Sequence, residues 1–290
     1  MADGSYTHKC RIGNWSEDYE LEQLRMKDYL QRKSNGELLV TKHQAKMNHS
    51  LQCVQLSTSN DGHVHFGDSV LLYSVKTQGI LSNDLGDLVM SSGAKAYSVT
   101  TSTLIKHPAA RNVYIIEPVQ VQEGNVLGDV VRFGMPFRLR AHEKLTGSQA
   151  LYLHSQPVSP LSASKYSRHQ EVLLHSAQNS YDTVWKIAHK DKNFRFEMEG
   201  QPVPHSVELI ILHSQTRQAL SSDLIKSEND FGIEYEVCSK TFLVAAKNQT
   251  MKHEFLGEIT PETASRHELR NNYWAFIMQS PTEDNTIINQ

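Results

Sequence analysis

Three cysteines in 290 residues, Cys10, Cys53 and Cys238, give no pairing framework. The count is odd, the spacings are long and no Cys-x-x-Cys occurs. This excludes a disulfide scaffold or a zinc ribbon, and the expectation is a reducing compartment with Cys53 and Cys238 as core thiols. Charge of one sign is lacking too: 29 Lys and Arg against 32 Asp and Glu leave a net charge of −3. Without an electropositive face, neither nucleic acid nor an anionic membrane is expected as the main partner. No apolar run reaches the roughly 18 residues a membrane span needs, and the first residues, Met1 to Cys10, hold no apolar signal segment. Position 2 is Ala2 and the sequence ends Asn289-Gln290, so no lipidation signal is seen. The expectation is a chain not exported by the usual route. There is no P-loop, no Gly-x-Gly-x-x-Gly opening a helix, no EF-hand loop and no Gly-x-Ser-x-Gly elbow, so no cofactor is expected.

A threefold internal repeat is present, and it fixes the architecture before any local motif is weighed. The copies open at Phe66-Gly67-Asp68-Ser69-Val70, Phe133-Gly134-Met135-Pro136-Phe137 and Val203-Pro204-His205-Ser206-Val207. Setting Gly67, Gly134 and Pro204 in register gives periods of 67 and 70. Each copy continues with an apolar residue and small polar ones: Leu81-Ser82-Asn83, Leu153-His154-Ser155 and Leu220-Ser221-Ser222. The middle stretches align as Glu171-Val172-Leu173-Leu174 with Glu234-Tyr235-Glu236-Val237. Each copy closes on an aromatic, in Tyr114, Trp185 and Trp274. Four short strands per copy make twelve, the count of a β-trefoil, in which three copies close on one core that none could bury alone. The apolar share of 39% fits all-β structure, where alternate residues face inward.

The first 60 residues stand outside the repeat. Ser16 is a good N-cap, Glu17, Asp18 and Glu20 suit the first turn of a helix, and Ser34-Asn35-Gly36 is a stop signal. A helix over about 17–34 follows, and a second, weaker one over 37–47. The expected organisation is an N-terminal arm at 1–60, a β-trefoil at 61–279 and a polar tail at 280–290.

Several residues look chemical. Gly67-Asp68-Ser69-Val70 resembles the nucleophile block of GDSL-type esterases, but no late Asp-x-x-His block supplies the base, and the repeat explains the stretch as a turn entering a strand. His63 and His65 lie on one face of a strand, a usable zinc geometry without a further ligand pair at spacing. His154, His175 and His213 each sit in Leu-His-Ser, as polar residues at strand ends. Tyr114, Trp185 and Trp274 are either core or a sugar-binding platform. Trp15 is either a docking anchor or packs on its own chain. No catalytic or metal residue is assigned. The candidate partner contacts are Arg11, Asn14, Trp15, Glu17, Asp18 and Tyr29.

The repeat grammar resembles MIR-type β-trefoil modules. A closer resemblance runs through Arg11-Ile12-Gly13-Asn14-Trp15-Ser16-Glu17-Asp18, Met26-Lys27-Asp28-Tyr29-Leu30, His65-Phe66-Gly67-Asp68, Val131-Arg132-Phe133-Gly134, 197–204 and Asn272-Tyr273-Trp274. These blocks are similar to the cilia- and flagella-associated protein 161 family. Departures lie in the first ten residues, from Tyr73 to Ala109, and in the tail. The resemblance implies a non-enzymatic microtubule inner protein in the axoneme of a cilium or flagellum, within cytoplasm and cytoskeleton. Its implied partners are tubulin, on the lumenal face of doublet microtubules and in the A-tubule, and neighbouring inner proteins. Two other functions compete: a MIR- or lectin-type trefoil binding a glycan or small ligand, and a hydrolase using Ser69.

Overall fold

The computed structural model describes residues 15–91, 94–104, 107–119, 128–160, 162–176, 180–244 and 267–279. The chain divides into two units, Met1–Asn48 and His49–Gln290. In the first, α1 spans Trp15–Ser34, with Glu17 and Asp18 in its first turn and Arg32 and Lys33 in its last. Both ends thus carry the charge that complements the helix dipole. Gly36, at φ 70°, supplies the left-handed residue after the helix. A second helix, α2, spans Leu39–Ser50. Residues 50–58 pack with the β unit: Ala110 donates to the Gln52 carbonyl, Val54 to Pro108 and Ser57 to Ser69.

The β unit contains twelve strands among the described residues. They are β1 Ser69–Ser74, β2 Gly79–Ser91, β3 Ala94–Ser102, β4 Val113–Pro118, β5 Pro136–Ala141, β6 Tyr152–Ser155, β7 Gln170–His175, β8 Trp185–His189, β9 Leu209–His213, β10 Leu220–Asn229, β11 Gly232–Ser239 and β12 Trp274–Ile277. Six of them close a ring of antiparallel pairs, β1-β4-β5-β8-β9-β12 and back to β1. The other six form three hairpins, β2–β3, β6–β7 and β10–β11. The second strands of these hairpins pair with one another in a triangle, β3–β7, β7–β11 and β11–β3. One cluster fills the interior, drawing Val70, Leu72 and Tyr114 from the first copy, Phe137, Leu139 and Trp185 from the second, and Leu209, Ile211 and Trp274 from the third. No copy encloses that cluster by itself, so the three fold as one body.

Two registers differ from the sequence alignment. Val64 donates to the Val203 carbonyl, Val203 to Val131 and Val131 to Val64, a cyclic set that makes these three valines equivalent. The amides of Gly67, Gly134 and Ser206 then donate to Ile116, Ile187 and Phe276 at matching places. Ser206, not Pro204, is therefore the counterpart of the two glycines. All three take positive φ, at 98°, 82° and 61°. In the triangle, Glu171 faces Cys238, Ser98 faces Leu173 and Glu236 faces Thr100. Each pairing sets the residue before one copy's valine against the residue after the next copy's valine. Val99, Val172 and Val237 are the equivalents, so Glu171 matches Glu236 rather than Glu234. A slip of two in a strand preserves which face each side chain takes, so the hydrophobic pattern alone cannot expose the error. The first copy, weakly patterned in sequence, is regular: the register shift in β2 between Asp84 and Leu88 has a counterpart in β10 between Ser222 and Lys226.

Candidate partner-contact site

Of the six residues assigned to partner contact, Arg11 and Asn14 lie outside the described residues. Trp15 opens α1, and Glu17, Asp18 and Tyr29 are exposed along it. The helix also displays apolar side chains that lack a buried face of their own. Tyr19, Met26 and Leu30 are 63%, 56% and 53% exposed. Their spacing of seven and four places them on one line along the helix. Asp28 and Arg32 pair one turn apart beside this line. A stripe of this kind gains its stability from an apolar surface, at roughly 1.5–3 kcal/mol for each large side chain fully covered. Tyr19, Met26 and Leu30 are not among the six residues named from sequence, although their periodicity carries the signal.

Residues that look chemical in sequence have structural roles. The Asp68 carboxylate accepts the His65 amide at 2.7 Å, and the Ser69 amide donates to the Ser57 hydroxyl at 2.9 Å. Ser69 opens β1, so the esterase-like block is a strand entry. Imidazole His65 lies 3.3 Å from Asp61 and 3.7 Å from Asp68. Hydrogen bonds, first the His63 amide, hold the Asp61 carboxyl below its usual range. Among the described residues no group of three or more His, Cys, Asp or Glu side chains could hold a metal.

The three closing aromatics are fully buried, which removes the sugar-platform alternative. Indole nitrogens of Trp185 and Trp274 donate to the Leu153 and Leu220 carbonyls, each at 2.9 Å. These leucines are equivalents, so the bond recurs between copies. Tyr114 stands at the same place, and its hydroxyl lies 3.5 Å from the Asn83 amide nitrogen. Burial raises its pKa well above the usual phenol range.

The three Leu-His-Ser histidines converge in space, which their scattered positions concealed. The rings of His154 and His175 lie 5.0 Å apart. His154 Nε2 is 3.6 Å from the Asp182 carboxylate, and His213 Nε2 donates to the Asp182 carbonyl at 3.1 Å. His213 also meets the Trp185 ring at 5.1 Å. Burial pushes the His154 pKa down to about 4, with the neighbouring His175 adding to the shift and Asp182 opposing it. His213 is lowered as well, again by burial. His154 and His213 are thus favoured as neutral imidazoles serving as internal hydrogen-bonding groups.

The fold and the exposed helix define a mainly β protein whose twelve described strands share one core, preceded in sequence by a helical unit. Comparison with known proteins gives its family. The model of the cilia- and flagella-associated protein 161-like domain matches residues 42–256. Cilia- and flagella-associated protein 161 of Bos taurus is 31% identical over 301 residues, covering 98% of this chain and 85% of the bovine one. The Danio rerio protein of the same name is 32% identical over 272 residues, covering 87% of each. The chain belongs to the cilia- and flagella-associated protein 161 family. Among solved structures, the SDF2-like protein from Arabidopsis thaliana matches with a TM-score of 0.51 at 21% identity, covering 76% of this chain and 99% of that one. A Caenorhabditis elegans protein of unknown function matches with a TM-score of 0.52 at 16% identity, covering 76% and 98%. At these identities the likeness concerns fold alone.

Proposed function

We propose that this chain is a non-enzymatic structural protein of cilia and flagella that binds the lumenal wall of axonemal doublet microtubules, with tubulin and neighbouring inner proteins as partners. Its β unit is a β-trefoil of the MIR-like type. The closed six-strand ring and the triangle of hairpins support that assignment. The relatives' names support the ciliary location, and none of them is an enzyme's name.

The exposed apolar line of α1 carries the binding part of the proposal. Tyr19, Met26 and Leu30 belong to a helix without a counterpart in the repeat, with Glu17, Asp18 and Tyr29 exposed beside them. Contacts of this kind give a lattice protein its hold through many modest sites rather than charge steering. The test is extraction of motile axonemes by detergent, then high salt, then a detergent that opens the doublet wall. Retention until the wall opens supports a lumenal position, whereas release by the first detergent or by salt overturns it. Substituting Tyr19, Met26 and Leu30 together by Glu, or removing residues 1–30, is expected to weaken retention. Unchanged retention of both variants would take α1 out of the interface.

A further inference from the structure

A cavity of about 310 Å³ lies where the three hairpins meet. That volume reaches the lower end of the range for small-molecule sites, about 300–1,000 Å³. Its floor is Val99, Val172 and Val237, the equivalent valines that end the hydrophobic core. Beside each valine stands an equivalent wall residue: Ser98 in the first copy, Glu171 in the second and Glu236 in the third. The arrangement is thus an apolar base ringed by one hydroxyl and two carboxylates.

The carboxylates decide what fits. Glu171 and Glu236 are each 8% exposed, and among the described residues no basic side chain forms an ion pair with either. Glu236 is held by the amides of Tyr166 and Ser167, at 2.8 and 3.0 Å. Glu171 takes the Ser91 hydroxyl on Oε1 at 2.7 Å. Its second oxygen takes no hydrogen bond among the described residues. Among the described lining residues Asp87 adds a third acidic group and Lys165 is the one basic side chain. A carboxylate more than nine-tenths buried without a cation bears a desolvation cost that a bound cation offsets. Tyr166, also lining the cavity, already takes an ammonium group: Lys165 Nζ lies 5.2 Å from the centre of its ring. That contact shows the aromatic face serving a cation.

We propose that this cavity binds a small organic cation, a free aliphatic ammonium or guanidinium compound. Glu171 is the main counter-charge, the tyrosine ring of Tyr166 the stacking face, and the three valines hold the apolar stem. Lys165 competes from the rim. The site is independent of α1 and of any role inside the microtubule, so its failure leaves that proposal standing.

Titration calorimetry of the full chain at low salt tests it, with agmatine and putrescine as cationic probes and glucose as the neutral one. Both cations are expected to bind at one site, and glucose to give no heat. Glu171→Gln, with the intrinsic fluorescence of Trp185 and Trp274 unchanged, is expected to weaken the cations at least about tenfold, the loss of one close ion pair in a partly buried site. Lys165→Gln leaves the strands intact and is expected to tighten them, which keeps the test decisive if Glu171→Gln does not fold. Absence of cation binding, or binding indifferent to both substitutions, overturns the proposal. So does glucose binding as well as the cations do.

Discussion

The guanidinium of Arg111 grips the carboxylate of Glu234 through two bonds, Nη1 to Oε1 at 2.7 Å and Nη2 to Oε2 at 3.0 Å, across 123 positions of sequence. The arginine comes from the turn that leads into β4 of the first copy and the glutamate from β11 of the third. Both are buried, at 3% and 0% exposure. Further bonds satisfy the pair: Arg111 Nε donates to the Asn83 carbonyl, and Thr100 and Asn229 donate to Glu234. Phe231 stacks against the guanidinium at 3.6 Å. Burial works to raise the Glu234 pKa, but the hydrogen bonds and charge of Arg111 outweigh it and hold the carboxyl below its usual range.

Removing one partner strands the other in the interior. Glu234→Ala and Arg111→Ala are each expected to cost about 3–5 kcal/mol, whereas an apolar pair of similar volume, Arg111→Met with Glu234→Leu, recovers most of the loss. Urea denaturation of the three variants checks this. Single losses below 1 kcal/mol would show that water reaches the pair.

The backbone at the head of each copy gives a second expectation. Gly134, at φ 82°, lies well outside the left-handed well near +57°, and a Cβ there would stand 3.0 Å from Glu199 Oε1. Ser206 does the same job at φ 61°, inside the well, which an L residue tolerates. Gly134→Ala is expected to destabilise by about 1–2 kcal/mol, and Ser206→Gly to shift stability by less than about 1 kcal/mol. Thermal unfolding of the pair measures the contrast, and equal effects would remove the conformational explanation.

Much of this architecture is legible in the sequence. Gly67 and Gly134, the apolar residues after them and the closing Tyr114, Trp185 and Trp274 mark three copies of four strands. Registers are harder: Pro204 was aligned where Ser206 belongs, and Glu234 where Glu236 does. Both slips are of two residues, which leave inward and outward faces unchanged, so only the hydrogen-bond partners reveal them. Convergence of His154, His175 and His213 was hidden for another reason. His154 and His175 sit on adjacent strands of one hairpin and His213 on a strand of the next copy, and short-range pattern does not report such proximity. Helix α1 is legible from its end signals, acidic Glu17 and Asp18 in the first turn and Ser34-Asn35-Gly36 at its close, although it starts at Trp15 and takes in Ser16. The exposure of Tyr19, Met26 and Leu30 depends on what the rest of the chain covers, which local pattern does not report.

The histidine cluster makes stability depend on pH in a defined direction. His154 has a folded pKa of about 4, below its ordinary value of 6.5, and His213 shifts the same way. The unfolded chain therefore takes up protons first as pH falls. Stability is full above about 6.5 and declines from there toward about 4, by an amount on the order of 3 kcal/mol for His154. The groups facing His154 are His175, His213 and Asp182. Urea midpoints across that range are expected to fall, and His154→Asn to flatten the slope. A slope unchanged by the substitution would assign the effect to other groups.

The closing aromatics allow a comparison among equivalents. Trp185 and Trp274 each donate to a buried carbonyl, of Leu153 and Leu220, while among the described residues the Tyr114 hydroxyl has only a long contact with Asn83. Replacing either tryptophan by Phe removes ring volume and one hydrogen bond to a buried carbonyl, and the Leu220 carbonyl keeps the Asn272 side-chain amide at 3.3 Å. The lost bond costs about 0.5–1.5 kcal/mol, with a further cavity cost for each. Tyr114→Phe removes one hydroxyl from a weak bond and is expected to cost less than about 1 kcal/mol. Guanidinium denaturation should therefore order the three with Trp185→Phe and Trp274→Phe together and Tyr114→Phe well apart. If Tyr114→Phe were as damaging as the tryptophan changes, the Asn83 contact would be a strong bond, and the first copy would be locked as firmly as its siblings.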